Sequence, residues 1–267
     1  MEIATQSLSL PAFNKIPDSA LFYQACQQLN KQNLTNKGVG TLNEKTIHAV
    51  LKHYYAPNTL YHEIKIGNYV ADILIDGQIL EIQTRNFNTM RKKLDAFLPH
   101  YDVTIVYPIA YTKWLCWIND ETGEVSSKRK SPKKGTIYSI IPELYRIKSY
   151  LTHPNLHFIL TFINVEEYRL LNGWSQNKKR GSSRHDGIPT ELIGEIHLYS
   201  LADYEQLLPY DLPPVFTTKD YMKHAKVSQK VAGTALNILY YLGLVIRTGK
   251  KGNAFLYERT KLHSSLL

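Results

Sequence analysis

The stretch YVADILIDGQILEIQTRNF, residues 69–87, decides how the chain is read. Two apolar runs are broken by Asp76-Gly77, a tight-hairpin signal. Asp72 interrupts the first run, and Glu81 and Gln83 sit within the second. Strand alternation sets Glu81 and Gln83 on one face, Leu80 and Ile82 on the other, and Asp72 with Leu74 and Asp76. A hairpin at Asp76-Gly77 lays the two strands side by side, so Asp72 and Glu81 can converge. Two neighbouring carboxylates raise each other's pKa unless a cation neutralises them. Magnesium meets that need with one or two protein carboxylates, several waters and a substrate phosphate. The alternative is a solvated face of an antiparallel sheet. Asp76 reads as a turn residue, Glu63 as a solvated charge, and His48 and His53 as surface histidines rather than ligands.

Working outward, residues 19–32 have helical spacing, and TLNEKTIHAVLKHYY, residues 41–55, predicts a second helix. Its inner face is Ile47, Val50, Leu51 and Tyr54, and Thr41 with Glu44 forms a capping box. LYHEIKI supplies a strand before the quoted pair, MRKKLDAFLPH a short helix after it, and DVTIVYPIAY a buried central strand. TKWLCWIND and GTIYSIIP read as further strands around a basic loop, PELYRIKSYLTH as a helix and LHFILTFINV as a strand. The expected fold class is therefore α/β, a mixed sheet flanked by helices. Residues 174–190 read as a long basic loop, and Pro209, Pro213 and Pro214 mark a linker.

Glu44 on a first helix, Asp72 on the second strand of a meander and Glu81-Ile82-Gln83 on the third resemble the PD-(D/E)xK nucleases, the restriction-endonuclease-like superfamily. The likeness spans roughly residues 36–110. It implies that Asp72 and Glu81 bind Mg²⁺ or Mn²⁺, that Glu44 assists, and that Gln83 completes the catalytic set. Lysine is usual where Gln83 stands. Glutamine can orient water or donate to phosphate, but it brings no positive charge. The implied division is a nuclease-like domain with an N-terminal helical segment over residues 1–208, and a second domain over 209–267.

That second domain reads as helix, turn, helix and hairpin, the layout of a winged helix. Gln229, Lys230, Thr234 and Asn237 form the expected exposed side of its longer helix, and Arg247, Lys250 and Lys251 charge the hairpin. Lys179, Arg180 and Arg184 of the earlier basic loop are candidates for the same phosphate backbone. SSKRKSPKKG, residues 126–135, is either another phosphate-gripping loop or a solvated tip.

Composition agrees in sign. The chain has 32 Lys and Arg against 23 Asp and Glu, a formal charge of +9, which favours an anionic partner. The expected partner is double-stranded or branched DNA, with the winged helix also suited to a protein partner or a second copy of the chain. Two separated cysteines argue against a disulfide framework or zinc site. No signal peptide is evident and no run is long enough to cross a bilayer, so the expected location is the cytoplasm. The reading is a metal-dependent DNA endonuclease. Its rival is an inactive DNA-binding or assembly protein that keeps the fold.

Overall fold

A computed structural model of the chain describes residues 13–35, 46–119, 121–171 and 181–260. Its helices are α1 (Ser19–Thr35), α2 (Thr46–Tyr55), α3 (Arg91–Phe97), α4 (Ile141–Arg146), α5 (Thr218–Ala225) and α6 (Gln229–Tyr241). Its strands are β1 (His62–Ile66), β2 (Tyr69–Ile75), β3 (Gln78–Ile82), β4 (Asp102–Ile118), β5 (Arg129–Lys130), β6 (Leu156–Leu170), β7 (Ser183–Leu198), β8 (Val215–Phe216), β9 (Val245–Lys251) and β10 (Ala254–Arg259). The architecture is α/β: a large mixed sheet in the order β1-β2-β3-β4-β6-β7, with β5 paired to β4, and a small sheet in the order β8-β10-β9. Among the described residues, no helix is long and apolar enough to cross a membrane.

The meander follows from its turns. Asp76 and Gly77 both have positive φ, 49° and 78°, and Ile75 pairs with Gln78 across them. That backbone matches the right-handed twist of an antiparallel pair, and Asp-Gly adopts it cheaply. β3 then joins β4 in parallel, so the chain crosses over through α3, and β4 joins β6 in parallel through α4. Each crossover helix buries one apolar stripe: Leu94 and Phe97 from α3, Ile141 and Leu144 from α4. They meet Ile79, Val103, Ile105 and Phe158 on one face of the sheet. The opposite face, with Ile73, Ile82, Val106 and Ile163, is covered by Phe22 and Leu29 of α1 and Val50 and Leu51 of α2.

Three expectations are corrected. TKWLCWI is no separate strand; it continues β4, and Arg129 and Lys130 fold back to pair with Leu115 and Trp114. GTIYSIIP is not a strand. Thr136 and Ser139 close a capping box over a 3-10 turn, and Pro142 opens α4, where its missing N–H costs nothing. Residues 183–190 of the expected loop at 174–190 belong to β7, and residues 174–180 lie outside the described residues. Its glycine and proline are absorbed because β7 is an edge strand whose pairing with β6 shifts register in three places. Gly194 is needed there, since a Cβ would stand 2.4 Å from the Phe13 ring.

The expected linker is packed rather than free. Leu207, Leu208 and Leu212 are buried, and the Tyr221 hydroxyl donates to the Leu207 carbonyl at 2.6 Å. Leu236 and Leu239 of α6 join the same apolar layer as Leu144 of α4. The C-terminal elements thus share one core with the large sheet. α3 is anchored chiefly by Leu94 and Phe97, so Leu94→Ala should cost about 2–5 kcal/mol. Urea unfolding will measure it, and a loss below 1 kcal/mol would mean the helix is not held by that stripe.

Candidate metal centre

β2 turns over at Asp72. Ala71 packs into the α3 side of the sheet and Ile73 into the α1/α2 side. The pairings His62 with Ile73 and Ile64 with Ala71 leave Glu63 opposite Asp72, and Glu63 has a φ of 53°. A non-glycine residue in that region is strained and persists only where its surroundings hold it. On the other side, pairing runs from Ile75–Gln78 to Ile73–Leu80, and one further step in that register sets Asp72 against Glu81. The ladder is completed by a side chain: the Ile82 N–H donates to Asp72 Oδ2 at 2.8 Å. The same oxygen lies 3.1 Å from His48 Nε2 on α2.

Glu81 shares its strand face with buried Ile79 and therefore points to the α3 side, where it is only 3% exposed. Lys93 of α3 meets it there, with Nζ donating to Oε1 at 3.0 Å and Oε2 at 2.8 Å. Burial and then the charge of Asp72 push the Glu81 carboxyl up to about 7, even against Lys93. Burial also opposes ionisation of Asp72, but His48, the Ile82 N–H and Lys93 outweigh it and hold its pKa below the usual value. Near neutral pH Glu81 therefore takes up a proton more readily than an ordinary carboxyl, even with Lys93 beside it.

These groups line an open cleft of about 610 Å³, with His48, Glu63, Gln83 and Thr89 around its walls. Lys52 of α2 donates to Glu63 Oε1 at 2.9 Å on the rim. The Gln83 amide nitrogen is turned onto its own loop, donating to the Arg85 carbonyl at 2.6 Å. Among the described residues, no group of three or more His, Cys, Asp and Glu side chains is gathered to hold a metal unaided. The donor set is two carboxylates, which fits magnesium held jointly with waters and a substrate phosphate. Entry of such an ion would displace at least one contact between Lys93 and Glu81.

Of the residues expected from sequence, Asp72, Glu81 and Gln83 come together in this cleft. Glu44, Lys179, Arg180 and the side chain of Arg184 lie outside the described residues. Two contributors were missed. His48 had been set aside as a surface residue, although it sits four positions before Lys52, one helical turn away on the face toward β2. Lys93 was hidden within a run of basic residues, and only its position beside Leu94 marks it as bordering the core.

The expected stripe on α6 divides. Gln229 and Lys230 are exposed, and the Thr234 hydroxyl donates back to the Lys230 carbonyl at 2.9 Å. Asn237, expected to be exposed, is half-buried and accepts from Lys148 Nζ at 3.1 Å. Arg247 and Lys250 stand over the Phe255 ring at 4.1 and 5.0 Å, and Lys251 is exposed.

The Glu81 shift has a consequence for stability. A carboxyl with a raised folded pKa binds more protons folded than unfolded, so its contribution is full below its unfolded pKa, near 4.5, and is lost as pH rises through about 7. Asp72 acts in the opposite sense but only at lower pH, as its depressed pKa is crossed. Urea midpoints should therefore fall between pH 4.5 and 7 in the native chain, and Glu81→Gln should flatten that fall. An equal decline in both proteins would remove Glu81 as its source.

Comparison with known proteins places this geometry within a family. An uncharacterized protein of Treponema pallidum (strain Nichols) is 26% identical over 234 residues, covering 83% of this chain and 87% of the relative. No solved structure matches the chain significantly. Residues 45–199, which include β1 to β7 and both carboxylates, match the family described as a domain of unknown function, DUF8091. That match covers more than half of the sequence, and the chain belongs to this DUF8091 family.

Proposed function

We propose that the chain is a metal-dependent DNA endonuclease of the PD-(D/E)xK kind, with its C-terminal unit acting as a winged helix that positions the duplex. The observation that carries this reading is Lys93. Its ammonium lies within 3.0 Å of both Glu81 oxygens, in the same cleft as Asp72. It brings from α3 the positive charge that Gln83 does not supply from β3. The element order supports the same reading: helix α2, an antiparallel meander, crossover helix α3 and parallel strand β4. So does the C-terminal order of α5, α6 and the β9–β10 hairpin, with β8 pairing to β10.

Asp72 and Glu81 would hold the ion, with His48 and the Ile82 N–H fixing the Asp72 carboxylate in place. Bound magnesium would polarise a phosphoryl oxygen and lower the pKa of the attacking water. Lys93, released in part from Glu81, would stabilise charge developing on a non-bridging phosphate oxygen. Gln83 can orient water once its amide leaves the Arg85 carbonyl. A second reading has its own support. Both Glu81 oxygens and the Gln83 amide are engaged within the chain, as suits a DNA-binding or assembly protein that no longer cleaves.

Incubation with supercoiled, linear and branched DNA in Mg²⁺ or Mn²⁺ separates the two. The nuclease should nick or cut at least one form, and Asp72→Ala and Glu81→Ala should abolish cutting. Lys93→Ala should slow it by roughly 10²-fold or more while DNA binding persists. Salt-sensitive DNA binding with no cleavage in either metal would establish the second reading instead.

A further inference from the structure

In the helix-turn-helix layout the second helix lies in the major groove. On α6 the candidate residues are Gln229, Lys230, Thr234 and Asn237, and Tyr241 continues the line of the last three at helical spacing. Its C-terminal half is occupied from within the chain. Lys148, just beyond α4, donates to Asn237 Oδ1 at 3.1 Å and stands 4.9 Å above the Tyr241 ring. Beneath it, Leu144 of α4 shares an apolar layer with Leu236 and Leu239. A helix with its side chains is about 10–12 Å across, and the major groove is about 12 Å wide. α6 can therefore lie along a groove through these last turns only if Lys148 leaves Asn237 and Tyr241.

The neighbouring face is open. The Arg247 guanidinium lies 4.1 Å from the Phe255 ring centre and 4.5 Å from that of Tyr240, and Lys250 lies 5.0 Å from Phe255. Tyr240 and Phe255 are themselves exposed, at 46% and 36%. Among the described residues, neither Arg247 nor Lys250 has a carboxylate partner within ion-pair distance. Stacking uses the flat face of a guanidinium and leaves the N–H groups around its edge free, which is the arrangement that binds phosphate bidentately. Residues 245–259 hold Arg247, Lys250, Lys251 and Arg259 against the single acid Glu258. Arg259 is committed to the Pro209 carbonyl, so three cations face outward.

We propose that the β9–β10 hairpin, rather than the polar stripe of α6, grips the nucleic acid: Arg247 and Lys250 take phosphates of a DNA duplex, and Tyr240 and Phe255 hold Arg247 in place. The proposal rests on the DNA-binding part of the reading above, but not on cleavage. It makes the contact one that follows the backbone and reads little sequence.

The test is fluorescence anisotropy of the full chain with a labelled duplex of about two helical turns, in EDTA, across a salt series. Arg247→Gln and Lys250→Gln should each weaken binding several-fold near 0.1 M salt and lower the log–log salt slope by about 0.9, one phosphate contact each. Arg247→Lys should restore the slope but only part of the affinity, because an ammonium cannot bind bidentately. Thr234→Ala should leave affinity and slope unchanged. Because EDTA removes cleavage, a failed nuclease reading leaves this result standing. Loss of binding in Thr234→Ala with none in Lys250→Gln would overturn the proposal. So would a native chain that fails to bind the duplex, or binds only single strands or a protein. Should Arg247→Gln prove unfolded by circular dichroism, Lys250→Gln and Lys251→Gln decide the matter alone.

Discussion

The contact on which the rest of the cleft depends is the one between Asp72 and the Ile82 N–H. Where β2 turns over, a backbone donor of β3 would lose its ladder partner, and an unpaired buried N–H costs about 1–3 kcal/mol. The Asp72 carboxylate fills that gap. In doing so it is fixed beside Glu81, with His48 holding the same oxygen from α2. One acceptor thus closes the sheet and concentrates negative charge at one point. Glu63, strained in the left-handed region across the same step, shows that the meander gives up regularity there. The imbalance then reaches Glu81, whose raised pKa is the cost of two neighbouring carboxylates with one lysine beside them.

Much of this was legible in residues 69–87. Asp-Gly specifies the turn by its φ preferences, and a fixed turn fixes which residues of two strands meet. That logic is local, and it carried Asp72 and Glu81 into one cleft. Lys93 is held by a helix packing over the sheet, a contact set by the α3 stripe of Leu94 and Phe97 rather than by any spacing to Glu81. His48 looked peripheral because the helical pattern marks which side is apolar, not which polar edge borders a strand. The end of the expected basic loop, residues 183–190, departs from its sequence signal for a related reason. Its glycine, proline and charges suit a turn, yet β7 tolerates them as an edge strand with shifted register.

The C-terminal unit gives the same lesson at a larger scale. Its capped helices and hairpin follow their sequence signals closely: Thr217 and Asp220 close a capping box on α5, and Ser228 caps α6. Which face of α6 is left free depends on where the unit docks. The Tyr221 hydroxyl on Leu207 and Lys148 on Asn237 fix that docking, and no periodicity within α6 reports it. The buried network of Glu195, Tyr55, Thr161 and His197 was equally silent in the sequence, since its members lie up to 142 positions apart and meet only across the sheet.

Asp72 and Glu81 carry more negative charge than Lys93 alone offsets. Carbon-13 NMR of the Glu81 side-chain carboxyl, titrated with pH with and without Mg²⁺, tests it without reference to any substrate. The account predicts a midpoint near 7 in the metal-free protein, moved down by a unit or more in saturating Mg²⁺ and unmoved by an equal ionic strength of Na⁺. A Glu81 midpoint that is the same with and without Mg²⁺ would contradict it.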